Sequence, residues 1–186
     1  DRLPMATDYT ITVPAGVQSA SGAELAEAVE VSFSTPPPEV QGFNAEERED
    51  LPLQPVLVAT FDQDVDADAV LERVTVTADG DEREMRPATA DESAADERAQ
   101  AAAAAAVEGR FVAFTPVEPF GTDQAIVVTF AAGIPSEEGP AVSTEQHRFG
   151  MRTYAPLRIT AVRCWQTPCR PGEGVDVVFN NELDAG

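Results

Sequence analysis

Few residues in this sequence are of a kind that does chemistry, and their spacing decides what they can do. The two cysteines stand in Cys164-Trp165-Gln166-Thr167-Pro168-Cys169. Four intervening residues, with a proline before the second cysteine, suit a short turn closed by a disulfide, because such spacing is compatible with the Cα separation that a disulfide demands. Two unpaired loop thiols are the plainer alternative. Zinc fits less well: it wants four ligands, and the single histidine, His147, lies far off in sequence. A paired bridge points to an oxidising compartment, the periplasm or the cell surface. Trp165, inside the turn, is either an exposed contact for a partner or a cover on the core of the module that follows.

The acidic string Asp62-Gln63-Asp64-Val65-Asp66-Ala67-Asp68 has the carboxylate density of a calcium loop, since hard cations gather several oxygens from one short segment. It lacks the glycine and distal glutamate of an EF-hand loop, and a strand-ending Asx turn is the favoured account. His147 sits in a strand-like pattern beside Arg148. Neither Ser136 nor Ser143 falls in the strand-to-helix elbow that a Ser-His-Asp nucleophile would use, and no glycine-rich phosphate loop is present. These residues give no catalytic set, no cofactor site and no metal site.

Charge narrows the partners. With 33 acidic residues against 12 basic ones, all of them arginine, the formal charge is -21. Such a polyanion repels nucleic acid and anionic lipid surfaces. No window approaches the roughly 20 apolar residues of a membrane-spanning helix, so no membrane contact is expected of this stretch. The opening at Asp1, without a charged and apolar leader, is read as targeting information removed or placed elsewhere.

The elements that position these residues repeat. Ile11-Thr12-Val13-Pro14-Ala15-Gly16-Val17 parallels Val128-Thr129-Phe130-Ala131-Ala132-Gly133-Ile134, offset by 128 - 11 = 117. Phe33-Ser34-Thr35 parallels Met151-Arg152-Thr153, and Phe61-Asp62-Gln63-Asp64-Val65-Asp66-Ala67 parallels Phe179-Asn180-Asn181-Glu182-Leu183-Asp184-Ala185, both offset by 118. Two unrelated motifs on one offset define a unit of about that length, somewhat above the roughly 100 residues of an immunoglobulin-like sandwich. The third copy keeps Leu183 and Asp184 but loses the acidic alternation, which weakens the calcium reading further.

Within the unit, Val56 to Phe61, Val74 to Thr77, Arg110 to Phe114 and Ile126 to Phe130 are short β-branched or aromatic runs bounded by turn residues. Glu145 to Thr153 alternates so that Phe149 and Met151 share one face, as Val31 and Phe33 do earlier. Between strands, the stretch from about 91 to 107 reads as one helix. Alanine favours it, Thr89 or Asp91 caps it, and Gly109 stops it. A helix inserted there must cover a sheet edge or an end of the sandwich. The expected fold is therefore all-β: tandem immunoglobulin-like β-sandwich modules, with one Ala-rich helix in the complete one. Residues 1–37 form the C-terminal part of one module, 38–155 a complete module, and 156–186 the N-terminal part of the next. Pro36-Pro37-Pro38 and Tyr154-Ala155-Pro156 are stiff linkers at equivalent junctions.

Tyr9 to Val17, Ser21-Gly22 and Val31 to Thr35 resemble the last strands of bacterial immunoglobulin-like modules in surface-layer and related exported proteins. The Ala-rich acidic helix, then Glu108-Gly109-Arg110-Phe111-Val112-Ala113-Phe114, and Thr153-Tyr154-Ala155-Pro156-Leu157 leading to the cysteine pair, are similar to the N-terminal region of large bacterial α-macroglobulin-like proteins. That resemblance implies an exported protein that traps proteases, by a bait region and in many members a thioester. Cys164 is followed by Trp-Gln-Thr and Cys169 by Arg-Pro-Gly, which is not a thioester context, so this stretch would be scaffold. The expected function is then non-catalytic and structural, with neighbouring modules and a captured protease as partners. Adhesive cell-surface modules that bind a ligand directly are the alternative. The two partial modules are expected to complete each other by strand exchange between neighbouring chains.

Overall fold

The computed structural model describes residues 2–164, 172, 174–181 and 183. The chain is mostly β, built from several antiparallel sheets. Two four-stranded sheets form its centre. In one the order is β3 (Val40–Phe43), β4 (Leu57–Phe61), β8 (Phe111–Pro116), β7 (Met85–Pro87), and in the other β10 (His147–Arg152), β9 (Ala125–Phe130), β5 (Val74–Ala78), β6 (Asp81–Arg83).

Side-chain parity makes these sheets face each other. Along β9, Ile126, Val128 and Phe130 are fully buried while Ala125, Val127 and Thr129 are not, the period of two that gives a strand one inner face. Val76 and Ala78 of β5 and Met151 of β10 join them. Opposite, Val40, Phe43, Leu57, Ala59, Phe61, Val112 and Phe114 of the other sheet complete a single core. Phe130 is its pivot, edge-on to Phe43, Phe61, Phe114 and Phe149 at centroid distances of 5.9, 6.5, 6.3 and 6.0 Å, the geometry that aromatic quadrupoles favour.

The helix differs from the single 91–107 segment expected. It is two helices, α2 (Ala90–Ala95) and α3 (Glu97–Ala105), broken at Asp96. Asp96 has extended backbone (φ -95, ψ 106), and its carboxylate accepts the N–H groups of Arg98 and Ala99 as the cap of α3. A side chain satisfying the orphan donors of a new helix start explains why the first helix stops there. Thr89 and Glu92 form a reciprocal capping box on α2. The location also differs: Ala99 is fully buried on Val56 and Val58, with Phe111 and Ala113 beside it. These lie on the outer face of β4 and β8, so α3 covers a sheet face, neither an edge nor an end. That is why Leu57 to Phe61 is hydrophobic without alternation: both of its faces are buried. Strands β6 and β7, and α1 (Ala67–Leu71) with Asp66 as its cap, complete the unit.

Two hairpins flank it: β1 (Asp8–Val13) with β2 (Val29–Ser34), and β11 (Ile159–Cys164) with β12 (Val175–Phe179). The sequence offset recurs in their pairing. Ile11 pairs Val31 and Tyr9 pairs Phe33, where Val128 pairs Phe149 and Ile126 pairs Met151. Ile159 pairs Phe179 and Ala161 pairs Val178 across a register shift, where Val40 pairs Phe61 and Gly42 pairs Thr60 across the same shift. Single hydrogen bonds repeat as well. The Thr35 hydroxyl accepts from Thr7 N–H at 3.0 Å and donates to the Pro4 carbonyl at 3.0 Å; the Thr153 hydroxyl accepts from Gln124 N–H and donates to the Gly121 carbonyl, each at 2.8 Å. Ala6 and Asp123, at equivalent positions, both have positive φ (52 and 63).

Candidate functional site

The best-built polar cluster lies where the first hairpin meets the central unit, and Glu138 is its hub. This residue sits in the loop between β9 and β10, its side chain only 12% exposed. Four groups converge on it through five hydrogen bonds. Arg2 donates to both carboxylate oxygens at 2.6 Å, Arg110 donates to Oε1 at 3.1 Å, and the N–H groups of Met5 and Asp64 donate at 3.2 and 3.3 Å. Burial pushes the Glu138 carboxyl upward, but the Met5 and Asp64 N–H groups and the Arg2 guanidinium outweigh it and hold the group below its usual 4.5. Arg110 also binds Asp64 Oδ1 at 2.9 Å and the Asp62 carbonyl at 2.8 Å.

Around this hub the backbones close tightly. Ala6, fully buried, accepts from Ala141 N–H and donates to the Pro36 carbonyl, each at 2.9 Å. Beside it, a Cβ on Gly139 would meet Thr7 Oγ1 and the carbonyl of Met5, and would come within 2.6 Å of the Ala6 carbonyl. Only glycine admits residues 5–7 so close. Gln63, also fully buried, donates to the Pro36 carbonyl at 2.9 Å and accepts from the Ser136 hydroxyl at 2.9 Å. At the second junction Asn181 donates to the Ala155 carbonyl at 2.8 Å, a carboxamide holding a linker carbonyl at the repeat-equivalent place.

The acidic string is spent on structure. The Asp62 carboxylate accepts Glu39 N–H at 2.8 Å, as Asn180 accepts Arg158 N–H at 2.7 Å; the repeat keeps a bond between distant segments, not the local Asx turn expected. Asp64 pairs Arg110, and Asp66 caps α1 through Ala69 N–H at 2.8 Å. Ser143, weighed as a nucleophile, accepts from Gly133 and Ile134 N–H at 3.1 and 3.0 Å. Cys164 is half-buried at the end of β11 and disulfide-bonded; Cys169 and Trp165 lie outside the described residues.

His147 has company that its place in the sequence does not announce. With Glu39 and Glu145 it presents ligand atoms within 4.8 Å of one another, beside a groove of about 140 Å³ floored by Pro36, Pro37 and Pro38. Both glutamates are exposed. In a chain with 33 acidic residues, exposed carboxylates converge by number alone, and no ion is assigned to the trio.

No protein-family model matches the chain, and neither does any curated protein. The site therefore speaks through its geometry: the described residues bring together contacts that join two β units, with the ionisable groups of the hub spent on one another.

Sequence reasoning missed Glu138, Arg110, Gln63 and Gly139 as a set. The pairs they form are separated by 27 to 136 positions, and no local spacing encodes them. A faint trace was available in Gly139, which aligns with Gly22 at the 117-residue offset.

Proposed function

We propose that the chain is a non-catalytic structural and interaction element of immunoglobulin-like modules, serving an exported protease-trapping protein of the α-macroglobulin-like kind. The strand orders support the immunoglobulin-like reading. β3, β4, β8 and β7 stand as A, B, E and D, and β10, β9, β5 and β6 as G, F, C and C′, the order of that fold with one strand added to its second sheet. The helices α2 and α3 are then an insertion between D and E. The α-macroglobulin-like part rests on the resemblance of the helix-to-strand run and of the Thr153 to Leu157 junction. The disulfide at Cys164 supports export to the periplasm or cell surface.

The observation that carries the spacer role is the joint. A flexible linker leaves its carbonyls to water, whereas here the Pro36 carbonyl accepts from both Ala6 N–H and Gln63, and Glu138 is bound from both sides of the junction. Modules so held keep distant parts of a larger protein at fixed spacing, or wall a captured protease. Backbone nitrogen relaxation tests this: the amides of β1 and β2 should report the same rotational correlation time as those of β4, β8 and β9. Gly139→Val should release the hairpin into separate, faster tumbling while the central sheets stay folded. Separate tumbling in the unsubstituted chain would overturn the spacer reading.

A further inference from the structure

His147 is the one histidine among 186 residues, and it meets two carboxylates that nothing else in the described chain engages. Number explains why carboxylates meet one another in so acidic a protein. It does not explain why the single imidazole joins them. The ligand atoms of Glu39, Glu145 and His147 lie within 4.8 Å of one another, and none of the three side chains makes a hydrogen bond or ion pair among the described residues. The carboxylates of the hub differ: Asp64 and Glu138 are taken up by arginines. Here two like charges stand together without a counter-charge, an arrangement that a cation relieves.

The backbone fixes each of the three. Glu39 follows Pro36-Pro37-Pro38 and exchanges both backbone groups with Asp62, its N–H donating to the carboxylate at 2.8 Å and its carbonyl accepting Asp62 N–H at 3.3 Å. His147 opens β10, paired with Phe130 of β9. Glu145 stands two positions earlier, the spacing that puts side chains on one side of an extended chain. All three line the groove of about 140 Å³ beside the prolines, and so does Ser143. Ser143 is 7% exposed, and its hydroxyl accepts the N–H groups of Gly133 and Ile134. Its own proton finds no acceptor among the described residues. A buried donor at the groove is the kind of group that orients a ligand carboxylate or a metal-bound water.

We propose that Glu39, Glu145 and His147 form a zinc site, with one imidazole nitrogen and two carboxylate oxygens as protein ligands and water as the fourth. The imidazole selects against calcium and magnesium, which take oxygen ligands. Zinc takes this nitrogen and oxygen set in a tetrahedron, with bonds of about 2.0–2.2 Å. Both glutamates are exposed, so their side chains are free to rotate and close on the ion. A bound ion ties Glu39, at the end of the proline linker, to β10, and so adds a metal bridge beside the joint that Glu138 closes. The chain offers few rival ligands of this kind: it has no second histidine, and Cys164 is held in a disulfide.

Calorimetric titration of the whole chain with zinc chloride, in excess calcium to occupy nonspecific carboxylates, tests the proposal. One equivalent of zinc should bind, and the ring protons of His147, the only imidazole, should shift with the same saturation. His147→Ala should weaken binding by about a hundredfold, at the upper end of what loss of an outer-sphere partner costs. Glu39→Gln and Glu145→Gln should each weaken it at least tenfold, whereas Glu84→Gln, on the turn between β6 and β7, should leave it unchanged. Melting in the absence of zinc should be the same for all four variants, which separates lost ligation from lost folding. The absence of saturable binding, unchanged affinity in H147A, or calcium displacing zinc at comparable concentration would each overturn the assignment.

Discussion

Glu138 shows how much one carboxylate can hold when its neighbours are donors. Its folded value lies below 4.5, with burial opposing and the Met5 and Asp64 N–H groups and Arg2 prevailing. A carboxyl lowered on folding stabilises the closed joint fully above the ordinary carboxylate range, and that contribution is lost as pH falls through the lowered value. The protection of the amides of residues 5–7 against hydrogen exchange, corrected for the intrinsic pH dependence, should therefore hold at pH 5 and fall in stronger acid. Glu138→Gln should remove that acid step and cost about 2 kcal/mol of joint stability at neutral pH, since it leaves buried donors without their ionic acceptor. Glu92 is a contrasting case. Arg86 and the Thr89 N–H hold it at about 2, but at an exposed position, where the same shift contributes little once water screens it. The acidic string was expected to form a local Asx turn, but Asp62 and Asn180 instead reach back 23 and 22 positions, to the N–H groups of Glu39 and Arg158. Gln63 was no more legible, because its partners Pro36 and Ser136 lie 27 and 73 positions away.

Among elements, the broken helix is the instructive one. Composition and caps located it, and the Thr89 and Glu92 capping box is a local pattern that the residues themselves display. The break at Asp96 follows from what the second helix must touch. Turning the chain there lets Ala99 reach Val56 and Val58, and Asp96 Oδ2 also lies 3.4 Å from Val56 N–H. Asp96→Ala should cost about 1 kcal/mol, read as a lower urea midpoint with unchanged slope. Strands β6 and β7 escaped the sequence reading because Asp81 to Arg83 and Met85 to Pro87 have no apolar alternation. They exist because β5 and β8 offer them edges to pair with.

At the scale of the whole chain, two facing four-stranded sheets enclose one core, and a two-stranded hairpin precedes and follows them in sequence. Phe130 touches four other phenylalanines drawn from both sheets, so Phe130→Ala should destabilise the central unit by about 3–5 kcal/mol, measured by thermal or urea unfolding. The same substitution should leave the β1–β2 register unaffected, as Val13, the equivalent residue, is 37% exposed and supports no such cluster.

The amino-acid sequence alone determined strands β4, β5, β8, β9 and β10 of the core, though not β3, together with the offset of the repeat and the parity of the apolar faces. Each of these is carried by neighbours along one strand or by two strands with matching pattern, so it survives in a linear reading. Only the tertiary structure decided that α3 lies on a sheet face, that Glu138 and Arg110 lock the first hairpin, and that Glu39, Glu145 and His147 meet. Those arrangements depend on which sheet faces remain to be covered and on residues tens of positions apart, and chain closure over such distances leaves no spacing in the sequence to read.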